Sequence, residues 1–274
     1  MIDKQLYRIF KSGSKTYFTS SLFFPKEVKE DIFVLYSFVR TADNFIDRIP
    51  QNKKGFFKFK QKYLKTLKGQ TGRDGIIDPF VRLIKKRNLN KKWVMSFLRS
   101  MQMDLFKKTY PTLHSTLRYI YGSAEVIGLM MAAILGLPER SYPYARLLGR
   151  AMQYINFIRD IPEDLSFGRI YLPLKDMKKF KLKNTDFSEA VKDPEKWTRF
   201  IRSQIKRFLI WQEKAEKGFN YMPRRYLVPI KTASDMYKWT SIKIYQDPLV
   251  VFRKKIKPSK LRIVLSILFN TVSL

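Results

Sequence analysis

The chain has 274 residues, 45% of them hydrophobic and 15% aromatic, enough apolar material for a sizeable core. Cysteine is absent and His114 is the single histidine, which excludes disulfide scaffolds, thiol catalysis, Cys/His zinc sites and chemistry that needs several imidazoles. Lys and Arg number 55 against 23 Asp and Glu, a formal charge of +32 that attracts polyanions such as nucleic acid, anionic lipid or phosphorylated substrates.

Apolar residues recur at helical spacing along nearly the whole chain, and strand-like alternation is scarce. The N-terminus, Met-Ile-Asp-Lys-Gln, lacks the apolar run of a signal peptide. Residues 27–47 are predicted to form a helix just after Pro25, with Ile32, Phe33, Leu35, Tyr36, Val39 and Phe45 turned inward. Further helices are predicted over 56–68, 79–87, 91–107, 113–136, 141–164, 195–218, 223–245 and 259–271. Breaks fall at Gly69–Gly75, Asn88–Asn90, Thr109–Pro111, Pro138, Gly168–Pro173 and Pro248. Residues 174–194 are the most polar and loop-like segment. There is no repeat, no long linker and no stretch of about 18 uncharged apolar residues, so a single all-α domain over 1–274 without a spanning helix is expected. The basic runs come without a helix-turn-helix, zinc finger or RNP-type strand, so nucleic acid is not an expected partner.

In so basic a chain the acidic residues are the informative minority. Fourteen aspartates would give about 0.7 Asp-x-x-x-Asp pairs by chance, and the chain has three. Asp74–Asp78 contains Gly75 and runs into Pro79, which marks a turn. Asp43–Asp47 and Asp160–Asp164 each end a helical stretch, where residues four apart share a face. Two carboxylates side by side repel unless a counter-charge separates them. A hard cation that takes oxygen ligands, water and substrate phosphates supplies one.

Each pair continues a polar stripe. Tyr36, Arg40, Asp43 and Asp47 follow one another at helical spacing, as do Gln153, Asn156, Asp160 and Asp164, with Arg159 and Glu163 expected to pair beside the second. Such stripes, bordered by Phe38, Val39, Ile155, Phe157 and Ile158, are costly to bury without a ligand. Facing each other, they would wall a cavity suited to two metal–diphosphate groups.

Five segments resemble the squalene/phytoene synthase family of head-to-head prenyl synthases. They are SKTYFTSSLFFP (14–25), LYSFVRTADNFID (35–47), YIYGSAEVIGLMM (119–131), MQYINFIRDIPEDLSFGRIYLP (152–173) and, more weakly, 236–244 with the basic 250–260. They span nearly the whole chain in family order. The sequence departs from the family pattern at Asn44, where an acid is common, at Gly13, where many members have His, and at Glu125, where small residues are frequent.

The resemblance implies an all-α isoprenoid synthase bundle around a central cavity. It also implies a transferase that joins two prenyl diphosphates through a cyclopropylcarbinyl diphosphate. Asp43, Asp47, Asp160 and Asp164 would hold Mg²⁺ (or Mn²⁺). Ser14, Lys15, Tyr36, Arg40, Gln153, Asn156, Arg159 and Tyr237 would bind substrate, and Tyr119 matches the mechanistic tyrosine. Phytoene from two twenty-carbon substrates is the expected product. A thirty-carbon product from two fifteen-carbon substrates is the alternative, with NADPH only for squalene itself. A non-catalytic basic helical binding protein is the reading from another class. The small residues Gly122, Ser123, Ala124, Gly128 and Ala132 either leave room for isoprenoid tails or let helices pack closely. Residues 261–274, nearly uncharged and preceded by a basic run, are expected at an anionic membrane surface or as the last core helix. The resulting expectation is a cytoplasmic protein, peripheral on the inner face of the cell membrane.

Overall fold

The computed structural model describes residues 2–70 and 73–274. Of the expected break at 69–75, residues 71 and 72 therefore lie outside the described part. The described chain is helical. In order it runs through α1 (Lys4–Gly13), α2 (Lys15–Ser21), α3 (Lys26–Ile46), α4 (Lys53–Leu67), α5 (Ile77–Lys86), α6 (Lys91–Met103) and α7 (Leu113–Ile120). A π-turn, Tyr121–Glu125, leads into α8 (Val126–Ile134), followed by α9 (Tyr142–Arg159), α10 (Ile161–Ser166), α11 (Leu174–Lys179) and α12 (Phe187–Lys192). The chain ends with α13 (Pro194–Glu216), α14 (Arg224–Gln246), α15 (Val250–Arg253) and α16 (Lys260–Ser273). The expected helices form, except that 141–164 is broken into α9 and α10. The short helices α1, α2, α11, α12 and α15 were not expected, and two of them lie in the segment read as a loop.

Local chemistry starts many of these helices. Asp3, Ser14, Asn52, Asn90, Asp186, Asp193 and Ser259 cap N-termini through their side-chain oxygens, and Thr112 with Ser115 forms a capping box. Asp74 accepts from the amides of Ile76 and Ile77, and Asp78 from that of Asp74, so this third acid pair is a turn at the start of α5.

Two apolar cores flank a common spine. One gathers α1, α3, α4, α5 and α6 around Phe33, Phe38, Phe56, Tyr63, Phe80 and Phe97, with Phe38 stacked on Phe80 at 3.8 Å. The other gathers α9, α13 and α14 around Tyr154, Trp197, Phe200 and Phe208. The run from α7 through α8 contributes to both, Tyr119 and Ile120 to the second, Val126 and Met130 to the first. By length and composition this run, Leu113–Ile134, is the one described helix that could cross a membrane, but 56% of its most apolar 18-residue window is buried inside the protein, as in a core helix.

Close helix packing explains the small residues. A Cβ on Gly122 would stand 2.3 Å from the Ser96 carbonyl oxygen, on Gly128 2.2 Å from that of Ala145, and on Gly149 2.5 Å from that of Ala124. Gly122 and Gly128 thus let α6, α8 and α9 touch backbone to backbone. Glu125, 1% exposed, bolts the same interface by accepting from Arg146 Nε at 3.0 Å and Arg150 Nε at 2.7 Å.

Candidate active site

The polar residues meet where the C-terminal ends of α3 and α9 approach the loop after α10. Asp43 lies in the last turn of α3, and Asp47 caps it. Tyr36, two turns before Asp43 on the same helix, stacks on Phe10 at 3.8 Å. Gly13 makes room for it, since a Cβ there would stand 2.4 Å from the Tyr36 hydroxyl.

The second pair is not on one continuous helix as expected. Pro162 has no N–H for the Ile158 carbonyl, and the chain breaks at Asp160 (φ −102°, ψ 17°) before α10 resumes. Arg159 consequently grips Asp160, with Nε to Oδ1 at 2.9 Å and Nη2 to Oδ2 at 2.6 Å. The expected Arg159–Glu163 pair does not form. Glu163 binds Lys255 instead, and Lys255 also reaches Asp160 Oδ1 at 3.1 Å. The segment after α15 thus lies over the second acid pair.

A tight turn then joins the two halves of the site. Gly168 takes a left-handed conformation (φ +68°), and the Arg169 amide closes back on the Asp164 carbonyl at 2.8 Å. Residues 169–174 lie against 108–111, with the Ile170 amide on the Lys108 carbonyl at 2.8 Å and that of Leu174 on the Tyr110 carbonyl at 2.9 Å. Arg169, 2% exposed, is thereby aimed across to α3. Its Nη1 donates to Asp47 Oδ1 at 2.9 Å, and Nη2 donates to the Ile46 carbonyl at 3.0 Å.

Behind this bridge lies Asp104, at the C-terminal end of α6 and 3% exposed. It accepts from the Tyr119 hydroxyl at 2.5 Å and the Tyr171 hydroxyl at 2.8 Å. The rings of Tyr119 and Tyr171 are 5.0 Å apart, and Tyr171 stacks on Phe157 at 4.3 Å. Sequence reasoning assigned no role to Asp104, Arg169, Tyr171 or Lys255. The available signal for Asp104 was a lone acid among Met101, Met103, Leu105 and Phe106. For Arg169 and Tyr171 it was their place in the motif after the second acid pair.

Charges across this region act on one another. Burial, then the charge of Asp47, pushes Asp43 up to about 8, with Asp104 adding to the rise and Arg40 and Arg169 opposing it. Burial raises Asp104 to about 7 against the pull of Arg169 and its two tyrosine donors. Asp164 is held well above the usual carboxylate range by burial, then by Asp160, Asp47 and Asp104. Burial works the same way on Asp160, but the Arg159 hydrogen bonds and charge, with Lys255, outweigh it and hold this group low. Tyr119 is raised by burial and by Asp104, which keeps it a neutral phenol.

The two acid pairs are therefore within electrostatic reach of each other. The Arg159 charge also acts on Tyr17, the charge of Tyr237 on Tyr36, and the Tyr17 and Tyr237 rings lie 5.8 Å apart. Asn156 presents a buried Oδ1 with no hydrogen-bond partner, next to Arg159 on the stripe, and Gln153 is half-buried one turn back. Ser14 caps α2 by accepting from the Tyr17 amide at 3.3 Å, and Lys15 is exposed in the same turn. Arg150 stands apart, bound to Glu125, and His114 is exposed in the first turn of α7.

Among the described residues no three acidic groups are close enough to form a metal site by themselves. The donor set still fits a hard cation. All ligating atoms are oxygens, Asp43 and Asp164 carry charges that nearby carboxylates destabilise, and Asn156 has an unmatched oxygen. Two carboxylates per cation, with diphosphate and water completing the shell, is the usual pattern for Mg²⁺.

The squalene/phytoene synthase sequence profile matches residues 10–262. The 15-cis-phytoene synthase of Synechocystis is 28% identical over 241 residues, 82% of this chain and 71% of that protein. The enzyme of the same name from Enterobacter agglomerans is 29% identical, covering 85% of this chain and 83% of its own. In structure, a dehydrosqualene synthase superposes with a TM-score of 0.86 at 23% identity, over 98% of this chain and 94% of its own. A squalene synthase from Alicyclobacillus acidocaldarius gives 0.78 at 20% identity, over 88% and 92%. With a bundle of that fold and a profile match over almost its whole length, the chain belongs to the squalene/phytoene synthase family and is a prenyltransferase.

Proposed function

We propose that this enzyme condenses two geranylgeranyl diphosphates head to head into phytoene, by way of a cyclopropylcarbinyl diphosphate. The observation that carries the reading is the meeting of the two acid pairs across the Arg169 bridge. Curated bacterial relatives named 15-cis-phytoene synthase at 25–29% identity over most of the chain support the twenty-carbon substrate.

Asp43 and Asp47 on one side, and Asp160 and Asp164 on the other, would hold Mg²⁺, which neutralises the leaving diphosphate and polarises its ester bond. Arg40, Arg159, Ser14 and Lys15 donate to phosphate oxygens, with Tyr36, Gln153, Asn156 and Tyr237 completing the polar shell. Arg159 already lies in the fork geometry that carboxylate and phosphate share, so diphosphate competes with Asp160 for it. Tyr119 spends its proton on Asp104, which leaves its oxygen lone pairs free to face a developing allylic cation. Loss of the first diphosphate, attack by the second substrate's double bond with proton loss to close the cyclopropane, loss of the second diphosphate with rearrangement, and a final proton loss would then take place against a wall of neutral phenols.

Incubation with geranylgeranyl or farnesyl diphosphate and Mg²⁺, with and without NADPH, tests the reading. Phytoene from the twenty-carbon substrate is expected. A thirty-carbon hydrocarbon as the main product would move the enzyme to the squalene side of the family, and absence of diphosphate release from either would leave a basic helical binding protein. A hydrocarbon product must leave into a bilayer, which supports reading the enzyme as a peripheral protein at the cytoplasmic face of the cell membrane.

A further inference from the structure

Helix α16 has one docked side and one open side. One side is docked, with Ile263 (0%), Ile267 (2%) and Asn270 (0%) buried against α14 and α2, and Asn270 Nδ2 donating to Asp235 Oδ2 at 2.8 Å. The other side carries Leu261, Leu265, Leu268, Phe269 and Val272, exposed by 69, 55, 58, 69 and 86%. Their spacing of 4, 3, 1 and 3 residues is one helical face. A fixed helix with an outward apolar face is not a core helix with a polar exterior, as water would require.

Between α14 and α16 this face continues into a groove of about 480 Å³ lined by Met236, Trp239, Leu261, Leu265 and Phe269. At its edge the Arg262 guanidinium lies 4.8 Å over the Trp239 ring. The helix contains no acidic residue. Positive charge brackets it, from exposed Lys254, Lys260 and Arg262 at the start to Arg224, which donates to the Thr271 carbonyl near the end.

We infer that the outward face of α16 and its groove seat the protein on an anionic lipid bilayer. The apolar stripe enters the acyl boundary, and the bracketing lysines and arginines meet lipid phosphates. Charge complementarity selects this occupant. A second copy of a chain carrying +32 would bring like charges together around the same stripe. The inference rests on the proposed release of a hydrocarbon only for its purpose, because the surface itself stands without it.

Sedimentation with phosphatidylcholine vesicles, with and without phosphatidylglycerol, tests the seat. Wild-type protein is expected to bind the anionic vesicles and to weaken at high salt. The L265E/F269E double variant is expected to lose on the order of a hundredfold in partition coefficient, while keeping its turnover of detergent-dispersed substrate. Vesicle binding unchanged in a folded double variant would overturn the inference. So would a wild-type dimer in light scattering that becomes monomeric in that variant, since the face would then be a self-interface.

A measurement on the unsubstituted protein covers the case in which the variant fails to fold. Brominated phosphatidylglycerol should quench its tryptophan fluorescence, and most of that quenching should vanish in Trp239→Phe. Quenching equal in both, or absent, would place α16 away from lipid. Failure of the catalytic reading looks different, since vesicle binding would persist with no diphosphate released.

Discussion

Gly128→Ala tests whether the small residues of α8 serve packing or substrate room. The added Cβ would stand 2.2 Å from the Ala145 carbonyl oxygen and 3.0 Å from its carbon. Neither partner is a flexible side-chain end, so α8 and α9 must part by roughly 1 Å to restore ordinary contact. Overpacking of this kind costs about 1–3 kcal/mol. The better helix propensity of alanine returns about 1 kcal/mol, leaving a net loss of up to about 2 kcal/mol. For a chain of this size that lowers Tm by up to about 8 °C. Thermal unfolding followed by circular dichroism measures it, with Gly75→Ala as a control because the three atoms nearest its Cβ belong to the flexible Gln5 side chain. Gly149→Ala meets the Ala124 carbonyl across the same interface, so combining it with Gly128→Ala should cost less than the sum of the two. A Gly128→Ala protein as stable as wild type, making a product of altered chain length, would refute the packing argument and return this glycine to the substrate pocket.

Asp43→Asn and Asp160→Asn should each remove most turnover under limiting Mg²⁺ while leaving the helical spectrum intact; near-wild-type rates would remove the metal assignment. Because burial holds Asp43 at about 8, well above its ordinary 3.8, the folded metal-free protein binds a proton that the unfolded chain has released. Its contribution to stability therefore falls as pH rises through that window. Asp104, at about 7, acts in the same direction. Tm of the metal-free protein should drop less with pH in Asp43→Asn than in wild type, and Mg²⁺ with pyrophosphate should restore wild type at the alkaline end. Identical pH slopes in the two proteins would contradict the placement of Asp43. Arg159→Ala should raise KM and lower kcat, whereas Arg150→Ala, which loosens a buried ion pair with Glu125, should lower Tm with little kinetic effect. Equal kinetic effects would show that the motif match misleads. Asp104→Asn keeps its shape but weakens two hydroxyl contacts, and kcat should fall about 10–100-fold with KM nearly unchanged; a pure stability loss with normal kcat would leave Asp104 outside the reaction.

Helical periodicity alone made the two acid pairs, their upstream stripes and the order of the long helices legible, because same-face relations within one or two turns follow directly from 3.6 residues per turn. Turn signals separated the Asp74–Asp78 turn from the other two pairs through Gly75 and Pro79. Periodicity went wrong where a local break intervened. Pro162 interrupts the helix at Asp160, so Arg159 grips its neighbour and Glu163 turns to Lys255. Tertiary packing decided what periodicity does not encode. Asp104 and Tyr119 are 15 residues apart, Arg169 and Asp47 122, and Lys255 and Glu163 92. Their meeting depends on the left-handed turn at Gly168 and on backbone contact between 108–111 and 169–174. The glycine stripe and α16 show the same division. Their composition allowed two uses each; a neighbouring carbonyl decides for packing at the glycines, and which side of α16 stays open follows only from its seat on α14 and α2, because burial belongs to the assembled molecule and spacing to the chain.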